Sequence, residues 1–316
     1  MRYNSPRPRH KRHIFRNFLI ILILAAGLYV AYKLVISPSQ SKKPVSSSLT
    51  LPVLKPVWPA YGSGAVGAVG FNGVVASYGT QSARPIASLT KIITALVVLQ
   101  AKPLKAGEEG PDIQFTQSDV DIYNQEIAND AAVKPVYAGT SMTERKALET
   151  MILPSAANYA IMLANWAYGS VDAYLVVANS WLKSHNLTKT TVVDTSGLMP
   201  GSVSSPGDLI TIGKLALANP ALASIVATKQ ANIPNVGIIN NGNGLLGQVG
   251  INGIKTGVTS EAGVCMLFSS VVAVGKKKIT IVGDLLGANE RGQQNSDVIK
   301  LLNSIQPAFR SFLSKK

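Results

Sequence analysis

One cysteine, three histidines and 16 acidic residues are all that 316 positions contain of the side chains that commonly ligate metals or serve beside the serine of a hydrolytic triad. Cys265 has no partner for an internal disulfide. It lies in the strand-like run GVCMLFSSVVAV, where a free cysteine behaves as a small buried hydrophobe and no nearby base would make it a nucleophile. His10 and His13 fall in a basic N-terminal tail, so only His185, in KSHNL, remains for the rest of the chain. That excludes a His/Cys metal site and leaves a Ser-His-Asp triad hanging on one residue, which itself reads as a surface loop position. No metal and no cofactor is expected.

Acidic residues are missing altogether from residues 1–43, which carry nine Lys or Arg; the remainder holds 21 basic against 16 acidic residues. The excess of +14 therefore describes the N-terminus more than the body of the chain. Residues 18–36 form a 19-residue apolar stretch broken only by Lys33, long enough to cross a hydrocarbon core, and six Lys or Arg precede it. The positive-inside rule puts residues 1–17 in the cytoplasm, makes 18–36 a single-pass transmembrane anchor in the cell membrane, and leaves the chain from residue 37 onward outside the cytoplasm. A cleaved signal peptide is the rival, since LAAG offers small residues, but the apolar run continues past it. The basic tail contains no folded module, so its charge is not read as nucleic-acid binding.

Residues 37–57, rich in Ser, Pro and Lys, read as a solvated linker, and a folded domain is expected over 58–316. Two apolar runs around Asn72-Gly73 predict a hairpin. Thr143 is placed to cap a helix that Pro154 interrupts, a second helix ends near Gly169, a third runs from Ser170 to Leu182, and a fourth starts near Pro206. INGIKTGV, GVCMLFSSVVAVG and KKKITIVGDLLG predict an antiparallel meander, succeeded by a helix from about Ser296 that is kinked or broken near Pro307. Strands first, helices in the middle and strands last imply an α+β domain: an antiparallel sheet built from N- and C-terminal strands, flanked by helices, with an all-helical insert.

Two short stretches carry chemistry. In IASLTKIITAL, Ser88 and Lys91 stand one helical turn apart at the start of an otherwise apolar helix. Burial and the positive end of the helix dipole both favour a neutral amine there, and a neutral lysine beside a hydroxyl can accept its proton. The plainer alternative is that Ser88 caps the helix while Lys91 snorkels to water. In GIKTGV, Lys255 and Gly257 face one side of a strand while Ile254, Thr256 and Val258 face the other. A side-chain-free Gly257 lets another backbone approach, such an edge can take up an extended peptide, and Lys255 with Thr256 offers a charge and a hydroxyl to a carboxylate.

An S-x-x-K, a serine at a helix junction in LPSAANYA, and a later K-T-G form the three-part set of penicillin-binding proteins and serine β-lactamases. Over Ala76 to Val274 the chain resembles the D-alanyl-D-alanine carboxypeptidases, the low-molecular-weight penicillin-binding proteins, in PIASLTKIITA, PVYAGTSMTERKALETMILPSAANYA, DTSGLMPGSVSSPGDL and INGIKTGVTSEAGVCM, in order. The resemblance implies that fold, a peptidoglycan stem peptide as substrate and β-lactam antibiotics as covalent inhibitors. It implies Ser88 as nucleophile, Lys91 as its base and Ser155 as the proton relay to the leaving amine. The backbone N–H groups of Ser88 and Val258 would form the oxyanion hole, with Lys255, Thr256 and Gly257 along the substrate.

Ala157 stands where the family's S-x-N motif has asparagine, and the chain's asparagine comes one place later at Asn158. One residue turns a helix by about 100°, so Asn158 replaces the missing amide only with a local change in backbone; it is read as the next polar, substrate-side position. This departure motivates a second expectation, a catalytically impaired homologue that binds wall peptide or penicillin. A β-lactamase is a third, without a marked glutamate to activate the deacylating water. Asp194 and Ser196 in DTSGL are assigned to turn and cap roles, and Lys229 and Arg291 are expected near the site.

Overall fold

A computed structural model describes residues 53–315. The predicted basic tail (1–17), anchor (18–36) and all but the last residues of the linker (37–57) lie outside the described residues. Among the described residues, no single helix is long and apolar enough to cross a membrane.

The first described elements are β1 (Ser63–Ala68) and β2 (Ala76–Tyr78), paired antiparallel as a hairpin with Gly64 opposite Tyr78. The hydrogen-bonded turn between them falls at Val69-Gly70 (Phe71 N to Ala68 O, 3.2 Å) rather than at the predicted Asn72-Gly73. After β3 (Arg84–Pro85), a 3-10 turn (Ala87–Leu89) leads directly into α1 (Thr90–Ala101). The middle of the chain is mainly helical: β4 (Asp112–Gln114), α2 (Gln117–Ala128), β5 (Ser141–Thr143), α3 (Glu144–Ile152), α4 (Ala157–Tyr168), α5 (Val171–Ser184), β6 (Val203–Ser204), α6 (Pro206–Ala218) and α7 (Pro220–Ala227). The ribbon β7 (Gln230–Ile233) and β8 (Gly237–Asn240) precedes the meander β9 (Ile251–Thr259), β10 (Gly263–Val274), β11 (Lys277–Ala288), and α8 (Arg291–Ser314) ends the chain.

Helix boundaries track the local chemistry. Thr143 Oγ1 accepts the Lys146 N–H at the start of α3, Ser170 Oγ accepts the Ala173 N–H at the start of α5, and Ser205 with Pro206 opens α6. Gly169, at φ +84°, closes α4 in the left-handed conformation that suits glycine.

The sheet order is β2-β1-β11-β10-β9, all antiparallel, so N- and C-terminal strands share one sheet and β9 is an edge. Its two faces obey the period-2 alternation of the strands. Leu267, Val282 and Leu286 belong to the cluster shared with α1 and the helical middle. Met266, Phe268, Ile281 and Leu285 pack with Leu301, Leu302, Ile305 and Phe309 of α8. The sheet is thus sandwiched between α8 and the helices that carry Ser88.

Three departures from expectation have local causes. The ribbons β3–β6, β4–β5 and β7–β8 have strands of two to four residues, too short for alternation to register. α8 starts at Arg291 rather than Ser296 because Gln294 donates to Val264 O (2.8 Å) and Leu285 O (3.0 Å), fastening the first turn to β10 and β11. The helix also continues through Pro307, held by its apolar face on the sheet.

Candidate active site

The 3-10 turn sets the geometry of the serine. Ala87 takes φ +48°, a left-handed conformation uncommon for a residue with a Cβ, and this presents Ser88 half-buried at the mouth of a cleft while Leu89 turns into the core. One turn on, Lys91 is 1 % exposed and does not reach solvent. Its Nζ lies 3.1 Å from Ser88 Oγ and donates to Ser196 O at 2.9 Å. Burial brings its pKa down to about 8 from the usual 10.5, while the carboxylates of Asp194 and Glu126 oppose the shift.

β9 brings the second wall. Lys255 is 2 % exposed, donates from Nζ to Thr256 O (3.0 Å), and is pushed well below the ordinary lysine range by burial first, then by the Lys91 and Arg291 charges. Two buried amines, Lys255 lowered in part by the Lys91 charge, lie beneath residues that line one cleft, Ser88 beside Lys91 and Thr256 beside Lys255, although neither amine lines the cleft itself. Such perturbed groups cluster at functional sites. Thr256, Gly257 and Val258 line that cleft opposite Ser88. A Cβ on Gly257 would stand 2.7 Å from the Ser88 nitrogen, so the absent side chain is what lets the edge strand reach the serine turn. Under the expectation that Ser88 is the nucleophile, Gly257→Ala should slow its acylation by about 100-fold, the scale of an ångström-sized misplacement at a reacting centre. Stopped-flow acylation beside a thermal melt checks it: an unchanged acylation rate would show that the close approach is not needed.

The third wall comes from the α3–α4 junction and the loop after α5. Ser155 adopts φ +68°, lines the cleft, and its buried Oγ has no hydrogen-bond partner among the described residues. Ala157 is buried in the first turn of α4 and its N–H goes to Ala132 O (2.7 Å). Asn158 is fully buried, donating to Lys134 O (2.8 Å) and accepting from Lys134 N (3.2 Å). The amide expected on the substrate side is therefore spent on clamping the loop before α3, and Asn158 is not among the cleft-lining residues, because the 100° step turns it away.

The loop at 194–199 is organised by Asp194, whose carboxylate accepts from the N–H groups of Gly197, Leu198 and Met199 and from the Ser196 and Ser202 hydroxyls. The turn role read for Asp194 matches this arrangement. The part of Ser196 that matters is its carbonyl, which takes the Lys91 amine; no side-chain pattern announces a carbonyl. Gly197, at φ +80°, lies against Ala87 O, so a Cβ there would collide with the serine turn.

The resulting cleft has a volume of about 440 Å3 and gathers Ser88, Ser155, Thr256, Gly257 and Val258 with Asp130, Leu198 and Arg291. Arg291 donates to Gly242 O (3.3 Å) and stands at the cleft as expected. Lys229 does not; its amine lies beside Gly247 instead. Cys265 is buried, with its thiol pushed up to about 11 by desolvation. His185 is half-buried rather than a plain surface loop residue: it closes α5 and packs on the Trp181 ring at a centroid distance of 4.2 Å.

Known proteins match most of this chain. The profile of the D-alanyl-D-alanine carboxypeptidases covers residues 71–286. The D-alanyl-D-alanine carboxypeptidase DacA of Escherichia coli is 28% identical over 244 residues, covering 72% of this chain and 56% of its own length. The chain thus spans little more than half of that relative. The D-alanyl-D-alanine carboxypeptidase DacB2 of Mycobacterium tuberculosis is 31% identical over 215 residues, covering 66% of this chain and 69% of its own. The crystal structure of a Streptomyces DD-transpeptidase aligns with a TM-score of 0.68 at 26% identity, covering 82% of this chain and 99% of that one.

Proposed function

Because the chain belongs to the D-alanyl-D-alanine carboxypeptidase family, we propose that it is a serine-type carboxypeptidase that removes the terminal D-alanine from peptidoglycan stem peptides through an acyl-enzyme on Ser88. The observation that carries this reading is the buried Lys91 amine 3.1 Å from Oγ of Ser88, which lines a cleft whose opposite wall is the edge strand β9.

In this mechanism neutral Lys91 takes the Ser88 hydroxyl proton as Oγ attacks the carbonyl carbon of the penultimate D-alanine. The N–H groups of Ser88 and Val258 receive the oxyanion, consistent with the packing of Gly257 against the Ser88 nitrogen. Collapse breaks the C–N bond, and the proton passes from Lys91 through the otherwise unpartnered Ser155 hydroxyl to the leaving amine of D-alanine. Water then attacks the ester carbonyl, giving up a proton to Lys91, and Ser88 recovers its own as the peptide carboxylate leaves. Thr256 and Lys255 attract the substrate's terminal carboxylate, and β9 pairs with its backbone. Anchorage through residues 18–36 would hold the domain outside the membrane; recovery of the full-length chain in the soluble fraction would refute that part.

The test is release of D-alanine from a pentapeptide ending in D-Ala-D-Ala, measured by HPLC, alongside labelling with a fluorescent penicillin. Release with labelling is expected; neither, from folded protein, overturns the reading. Ala157 supports a second one, a homologue that binds wall peptide or penicillin and turns over poorly, for which labelling without release is the signature. Ala157→Asn returns the family's amide to the first turn of α4. It is expected to raise kcat/KM by about 5- to 10-fold, the worth of one hydrogen bond held in the transition state, as measured by D-alanine release.

A further inference from the structure

Behind the 194–199 loop lies a second cavity of about 310 Å3 that shares Leu198 with the catalytic cleft. Its lining is mostly apolar: Ile161, Val171, Val193, Leu198 and Met199 contribute side chains, and Val193 and Met199 leave its mouth open to solvent. Glu126, from α2, also lines it. This residue is 6 % exposed; its Oε1 accepts from Asn129 Nδ2 (3.0 Å), and its Oε2 has no hydrogen-bond partner among the described residues. A buried carboxylate oxygen without a donor costs several times what a satisfied one does. Asp194 borders the same cavity, but its oxygens are already taken by three N–H groups and two hydroxyls.

A mostly apolar cavity with a lone carboxylate oxygen accommodates an aliphatic chain ending in a cationic donor: methylenes displace water along the walls and the ammonium satisfies Oε2. A chain ending in a carboxylate would meet Glu126 and Asp194 with the wrong sign. We infer that this cavity is a specificity subsite for an amine-terminated aliphatic side chain on the residue preceding the two D-alanines, a lysine-type rather than a carboxylate-bearing diamino acid. The inference rests on the proposed carboxypeptidase activity and on Leu198, the residue that the cavity shares with the cleft holding Ser88.

Two peptides test it: Nα-acetyl-L-lysyl-D-Ala-D-Ala, with a free side-chain amine, and the same peptide acetylated on that amine. Wild-type protein is expected to cleave the free-amine peptide with a kcat/KM about 10-fold higher, the scale of one charge-assisted hydrogen bond. Glu126→Gln should bring the ratio close to one. Any effect of the lost charge on Lys91 falls on both peptides and cancels in the ratio. Val193 is 39 % exposed, so Val193→Lys can place a competing ammonium at the mouth without disturbing the core, and it should abolish the preference as well. Absence of preference in wild-type protein, or a preference that survives both substitutions, overturns the subsite. If penicillin labelling and cleavage of the acetylated peptide persist, only the subsite has failed; if both are missing, the catalytic reading fails first.

Discussion

Ser88→Ala is expected to abolish labelling by fluorescent penicillin and to cut D-alanine release by about 10000-fold or more, the loss typical when a covalent nucleophile is removed from an otherwise intact site. The geometry makes the variant informative. Ser88 is half-buried at the mouth of the cleft, and its hydroxyl's polar neighbour is the Lys91 amine, which keeps its hydrogen bond to Ser196 O when Oγ is gone. Fold and melting temperature should therefore hold, and binding of the peptide, measured calorimetrically, should survive. Equal labelling of Ser88→Ala and wild type would place the nucleophile elsewhere and sink the mechanism.

Lys91 carries the second large effect. Lys91→Met keeps a long unbranched side chain in the buried slot while removing the base, and should lower the acylation rate by about 1000-fold, within the usual range for a general base. The thermal midpoint should hold or rise, because an amine that must be desolvated below its pKa is replaced by an apolar chain. Wild-type protein should show the titration directly. The folded-state pKa is depressed, so the reactive neutral form is scarce below about pH 8 and saturates above it. A pKa of about 8 in place of 10.5 enlarges the neutral fraction at pH 7 about 300-fold. The acylation rate should accordingly climb close to tenfold per unit from pH 6 to 7 and flatten above 8; a rate that falls over that range would rule out Lys91 as the base.

Most of this site was legible because it is written in side chains at fixed spacings. Ser88 and Lys91 are one turn apart on a helix too apolar to present a lysine to water, and K-T-G falls on the strand that becomes the sheet edge. The caps at Thr143, Ser170 and Ser205 were readable for the same reason. What escaped was made by backbone or by distant packing. The Ser196 carbonyl has no residue signature, and the direction of Asn158 depends on where α4 starts. Glu126 reaches its cavity from a helix with almost no buried face, and the extra turn of α8 exists because Gln294 finds two carbonyls on strands that only the fold brings near.

The central pairing of the sheet joins Ser63 to Leu286, more than 200 positions along the chain. β1 cannot take its place in the sheet until β11 has been made. Closure of so long a loop is the slow, entropically costly event in such a topology. Since Ser88 sits in the early half of the chain and β9 in the late half, the cleft exists only after that closure. Completion of the cleft is accordingly expected to come late in folding, because its two walls, the serine turn and β9, stand far apart in the sequence.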